Sequence, residues 1–201
     1  MISRLVVLIS GKGSNLQAIL DACGLDIDVL TTPEAMMQAT KDQKIRVDWK
    51  GCVGMGDYYD TLYKATARPK MIQPTWVFEY PVDLKPLAKR SPTDPTKSSS
   101  TQLVIMGAEI VNAYYHELND PVDQRERLES QQALRDQGSE EAQWLDGDFL
   151  QALETGMPPV SGVGVGIDRI CALITGSHNL KEVILFPTLK PEKPAGAGDS
   201  L

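Results

Sequence analysis

The chain has 201 residues, 42% of them hydrophobic and 23% charged, with a formal net charge of −7 at pH 7. That size and mix suit a globular protein of one domain, or two small ones. The acidic balance leaves no overall basic field, so nucleic acid would have to be met by a local patch.

In chain order, residues 5–10 read as a buried strand, Gly11, Gly13, Ser14 and Asn15 as a glycine-rich loop, and residues 16–23 as a helix. Strand, loop and helix N-terminus can cradle a phosphate, or can be an ordinary βα turn. The apolar run at residues 5–9 is too short for a signal peptide or a membrane span. Thr32-Pro33 is a helix start, with the helix running towards Gln43, and residues 57–67 form a second helix with Tyr58, Leu62 and Ala65 on one face. Residues 91–101, with two prolines and Ser98-Ser99-Ser100, read as a flexible loop. A strand follows over residues 103–115 and stops at Asn119-Asp120-Pro121; residues 124–137 form a charged, solvated helix and residues 148–153 a short one. Residues 191–201 read as a disordered tail. Cys23, Cys52 and Cys171 lack metal-ligand spacing and read as reduced thiols of a cytoplasmic protein.

Two stretches carry chemistry. In residues 162–167 alternation puts Gly162, Gly164 and Gly166 on one face and Val163, Val165 and Ile167 on the other. A strand bare on one face invites something against its backbone. Asp168 would cap the following helix, whose apolar stripe is Ile170, Leu173 and Ile174, and Arg169 in its first turn offers a fixed guanidinium. A glycine floor, a guanidinium and a helix N-terminus suit a nucleoside triphosphate. The other reading is a glycine strand that admits a neighbouring helix, with Arg169 in a structural ion pair. The second stretch, residues 109–121, sets Glu109, Asn112 and Glu117 in an otherwise apolar strand, where buried polar groups need partners or a ligand. Glu109 can hold a divalent cation between phosphate oxygens. Asn112 and Glu117 can hold the carboxylate and ammonium of a small ligand, or the strand can be an edge whose polar face is solvated.

Taken in order, these segments resemble the C-terminal part of the catalytic domain of class II lysyl-tRNA synthetases. The resemblance runs over residues 24–193: Met71-Ile72-Gln73-Pro74-Thr75-Trp76 through Arg90, the 109–121 run, Glu140-Glu141-Ala142-Gln143-Trp144, Gly156-Met157-Pro158-Pro159, and Gly162 to Arg169 in the place of the third signature motif. It implies an α+β fold, an antiparallel sheet flanked by helices, here incomplete, and lysine activation with ATP and Mg2+ followed by transfer to tRNA. By the same resemblance Arg169 would bind the γ-phosphate and Glu109 would be a magnesium ligand. Asn112, Tyr114 and Glu117 would line the lysine pocket, with Gly164 and Gly166 as its floor. The first two signature motifs, including the dimer-forming segment of this homodimeric family, and the anticodon-binding domain have no counterpart, so little activity is expected of this chain alone. Gln102 stands where many members carry a second metal-binding carboxylate, and the stretch from Tyr114 to Glu117 is one residue longer than the family run. In a strand, one extra residue reverses every facing beyond it unless a bulge absorbs it.

Residues 1–23 resemble instead the N-terminus of phosphoribosylglycinamide formyltransferases, where this loop binds the substrate phosphate. No formyl-transfer constellation follows: His116 and His178 both sit in synthetase-like context. The expected organisation is therefore a formyltransferase-like segment (1–23), a partial synthetase catalytic domain (24–193) and a tail (194–201). The expected function is that of a truncated lysine–tRNA ligase domain. Alternatives are a non-catalytic synthetase-like module that binds a ligand or partner, and a formyltransferase fragment.

Overall fold

The computed structural model describes residue 25 and residues 30–188. The strand, loop and helix expected over residues 5–23 and the tail expected from residue 191 lie outside them. The chain divides into two compact units after Val165.

The first unit begins with α1 (Pro33–Asp42), capped by Thr32, whose Oγ1 accepts from Ala35 N at 3.2 Å. Pro33 occupies the first turn, where its missing N–H costs nothing. In α2 (Met55–Thr66) Asp57 accepts from the amides of Val53 and Gly54 and closes the helix start. Leu62, Tyr63 and Ala67 of this segment meet Met36, Met71, Val77, Tyr80 and Val104 in the main core.

A four-stranded antiparallel sheet follows: β1 (Thr75–Phe78), β2 (Ser100–Ile105), β3 (Ala108–Tyr114) and β4 (Gly162–Val165), in that spatial order. The sequence reading took residues 103–115 as one strand; they are the two arms of a hairpin. Met106 (φ 51°) and Gly107 (φ 72°) supply the two left-handed residues that a tight hairpin turn needs. Their amides donate to Ile72 O and Met71 O, both at 3.0 Å, and Arg68 Nε donates to Gly107 O at 2.8 Å, so the tip is tied to the chain before β1. The expected pairing of the glycine strand with the 103–114 stretch holds: Tyr114 faces Gly162 and Asn112 faces Gly164.

The serine-rich stretch corrects the sequence reading again. Ser98, Ser99 and Ser100 are fully buried. Ser98 donates from N and Oγ to Tyr80 O, at 2.8 and 3.0 Å, and its hydroxyl lies 2.7 Å from that of Ser100. Ser99 N donates to Lys89 O at 2.7 Å. Small hydroxyls with every donor met enter a core that larger polar chains cannot.

α3 (Pro121–Asp136) is capped by Asp120, which accepts from Val122 N at 2.9 Å. Its inner side is not apolar throughout: Gln124 and Arg127 are buried beside Leu128. Arg127 makes two 2.8 Å bonds to the Asp123 carboxylate and one of 2.7 Å to Ala88 O. α4 (Gly147–Glu154) is capped by Asp146.

The second unit contains α5 (Ile167–Thr175), ended by Gly176 in the left-handed conformation. Gly166, not Asp168, is its N-cap; Asp168 sits one residue inside the helix. The expected buried stripe is also revised: Ala172 is the buried residue of α5, and Ile174 is 79% exposed. No helix among the described residues is long and apolar enough to cross a membrane.

Candidate ligand-binding site

Residues paired across an antiparallel ladder point to the same face. Val77, Gln102, Asn112 and Gly164 therefore share one face with Ser100, Tyr114 and Gly162. Glu109 and Asn112 are three apart and would face opposite sides of a regular strand. The register steps between Leu103 and Val104, where Ile110 has no partner of its own, and this bulge brings both side chains to one cavity. The cavity, about 540 Å³, lies between that face and α2, with Tyr63, Arg68, Tyr80, Lys85 and Gln102 also in its wall.

The stretch before Glu117, read from the sequence as one residue longer than the run it resembles, holds a second irregularity. The amides of Tyr115 and His116 both point to Ser99 O, at 3.1 and 3.5 Å, and Glu117 N then donates to Val160 O at 3.1 Å. The Glu117 carboxylate consequently lies over Gly162, where a Cβ would collide with its Oε1. Gly162 is thus the position where a bare backbone is needed. At Gly164 the nearest atom to a Cβ would be Asn112 O at 3.6 Å, an ordinary contact that leaves the space above it open.

Polar groups of the cavity are partnered in detail. Tyr80 Oη donates to Gln102 Oε1 at 2.7 Å, with Tyr63 Oη 3.4 Å away. Gln102, which stands where a second metal-binding carboxylate was sought, is thereby the acceptor for a buried phenol. Burial pushes the Tyr80 hydroxyl well above the ordinary tyrosine range, so it stays a neutral donor. Burial raises Tyr114 as well; the Asn112 amide beside it opposes the shift, and the Glu117 and Glu109 carboxylates add to it. Glu117 itself is raised by desolvation.

Sequence reading thus named four residues that meet on this face, Glu109, Asn112, Tyr114 and Glu117, together with Gly164. Gly166 and Arg169 lie at the N-cap and in the first turn of α5, in the second unit. Gly11, Gly13, Ser14 and Asn15 lie outside the described residues. Missed altogether were Tyr80 and Lys85. A lysine in a loop reads as a solvated charge, and nothing in its neighbours signals otherwise.

For magnesium the fit is partial. No group of three His, Cys, Asp or Glu side chains among the described residues could hold a metal ion. One carboxylate, such as that of Glu109, suits an ion held mainly by phosphate oxygens, as magnesium commonly is.

A family of known proteins matches this chain over residues 5–190: the tRNA synthetases class II (D, K and N). The chain belongs to this family. The class II match extends into the N-terminal segment that was read as formyltransferase-like. Among curated relatives, the lysine–tRNA ligase of Porphyromonas gingivalis is 42% identical over 180 residues, which is 90% of this chain and 30% of the relative. That of Moorella thermoacetica is 43% identical over 180 residues, 89% of this chain and 36% of the relative. That of Christiangramia forsetii is 42% identical over 178 residues, with 89% and 31% covered. The chain spans about a third of the length of the curated relatives it matches.

Proposed function

We propose that this class II synthetase chain carries the amino-acid side of a lysine–tRNA ligase catalytic site. The observation that supports it is the convergence of Asn112, Tyr114 and Glu117 on the bare backbone of β4. Glu117 would accept an ammonium of lysine, and its desolvated setting strengthens that attraction relative to water. Asn112 and Tyr114 would orient the rest of the amino acid, and Gly164 and Gly166 would leave room for it. Arg169 would hold the γ-phosphate of ATP in the role its motif suggests. When bound, magnesium would neutralise phosphate charge, and Glu109 would be its protein ligand. Catalysis of this kind comes from holding carboxylate and α-phosphorus in line rather than from acid–base chemistry. tRNA would be the final acceptor, as the relatives' names imply, and the cytoplasm the place of action. Residues 1–23 remain a separate segment in this proposal, residues 24–193 the synthetase part, and no step is assigned to the loop at Gly11 to Asn15.

Because the chain spans a third of its relatives' length, the test reads binding rather than turnover. L-Lysine is titrated calorimetrically into the wild type and Glu117→Gln. Loss of about tenfold or more in affinity is expected, since a charge-assisted bond becomes neutral. Equal affinity in the two proteins would remove Glu117 from the site.

A further inference from the structure

Lys85 enters the cavity directly after the short helix Val82–Leu84. Its Nζ donates to Asn112 Oδ1 at 3.2 Å and stands 5.0 Å from the centre of the Tyr80 ring. An ammonium has three N–H donors, and these two contacts are a neutral amide and a π face. Among the described residues no carboxylate lies within ion-pair distance of Nζ. The charged groups that bear on it are Glu109 of β3 and Asp60 of α2, which favour the ammonium, and Lys64 of α2, which opposes it. Burial is the largest influence; with Lys64 it outweighs the two carboxylates and holds Lys85 below the ordinary lysine pKa. A half-buried ammonium with no carboxylate beside it is costly, and a negatively charged oxygen brought by a ligand would form a charge-assisted bond with it.

We infer that Lys85 is a further binding residue of this cavity and receives an oxyanion of the ligand, a carboxylate or a phosphate oxygen. The inference rests on the cavity being the synthetase ligand site proposed above. Asn112 Oδ1 and the Tyr80 face hold the end of an otherwise flexible side chain in place, so less entropy is lost when the anion arrives. An anion beside Lys85 also favours its charged form. Binding therefore takes up a proton wherever free Lys85 is partly neutral, and affinity falls as pH rises through the lowered pKa.

The test is calorimetric titration of the full chain with L-lysine and, separately, with inorganic pyrophosphate. It is run at mildly alkaline pH in two buffers of different ionisation heat, so that proton uptake is read directly. Lys85→Met, with its fold checked by circular dichroism, is expected to weaken the oxyanion ligand about tenfold or more and to abolish proton uptake. Lys85→Arg is expected to keep the affinity and lose the uptake, because a guanidinium does not titrate. Weakening of L-lysine alone identifies the anion as a carboxylate; weakening of pyrophosphate alone identifies a phosphate. Unchanged affinity and proton uptake in Lys85→Met would overturn the role of Lys85 and leave the site standing. Should that variant fail to fold, unchanged proton uptake in Lys85→Arg would overturn it equally. A wild type that binds neither ligand would overturn both the inference and the reading of the cavity.

Discussion

Tyr80→Phe tests whether the polar wall of the cavity is held together as the geometry implies. Tyr80 is 2% exposed and Gln102 7%, and the 2.7 Å bond between them is the one that satisfies Gln102 Oε1. Removing the hydroxyl forfeits that bond and leaves an amide oxygen in a nearly dry place. Leaving a buried acceptor unmet costs about 1–3 kcal/mol. Gln102 lines the cavity, so water can reach part of it, and about 1–2 kcal/mol is expected. For a chain of this size that is a melting temperature lower by roughly 2–8 °C. Gln102→Leu should cost less, since Tyr63 Oη stands 3.4 Å from Tyr80 Oη as a second acceptor. The double variant should be little worse than either alone, because it removes both partners. Urea denaturation of the four proteins gives the coupling energy, expected at about 1 kcal/mol or more. Additive losses, with coupling under about 0.3 kcal/mol, would refute the reasoning.

Two further perturbations follow from the same geometry. Gly162→Ala drives a methyl into Glu117 Oε1 and must swing the carboxylate aside, so L-lysine affinity should fall about tenfold with stability nearly kept. Gly164→Ala meets nothing closer than 3.6 Å and should leave Glu117 and the melting temperature unchanged; the two variants are separated by titration and thermal melting. Hydrogen bonds from Arg127 hold the Asp123 carboxyl below its ordinary value, so its stabilisation is full above the unfolded pKa and is lost as pH falls through the folded one. Asp123→Asn should therefore cost about 1.5–3 kcal/mol at neutral pH and flatten the acid limb of the stability profile, measured by urea melts across pH.

The first helix was legible from its cap: Thr32-Pro33 is a start signal, and α1 begins where it predicts. Asp120-Pro121 was read only as the end of a strand, yet it starts α3, three residues before the expected 124. The glycine strand and its pairing with the site strand were legible too, because a glycine face is a strong local signature. The hairpin at Met106-Gly107 was not. Its turn lacks the Asn-Gly or Asp-Gly that marks such loops, and apolar residues run through it without a break. Buried serines were missed because composition reports polarity and says nothing of whether partners wait in the fold. Asp168 was taken as a cap by residue type, yet Gly166 supplies the non-helical residue before the helix. The joint facing of Glu109 and Asn112 depends on a bulge, and the facing of Glu117 on two amides that share one carbonyl; periodicity alone describes neither.

Each of those two irregularities holds one residue more than a regular ladder needs. Removing one residue at Ile110 would leave Glu109 and Asn112 two apart in a regular strand, so both would keep the face they share now, and Tyr114 with them. Removing one beside Tyr115 would leave a single amide on Ser99 O and need not move Glu117. Loss of a residue at these two points thus has the same meaning. At either one a single-residue gap is silent for the side chains that enter the site, so related chains shorter there can be compared residue for residue on either side.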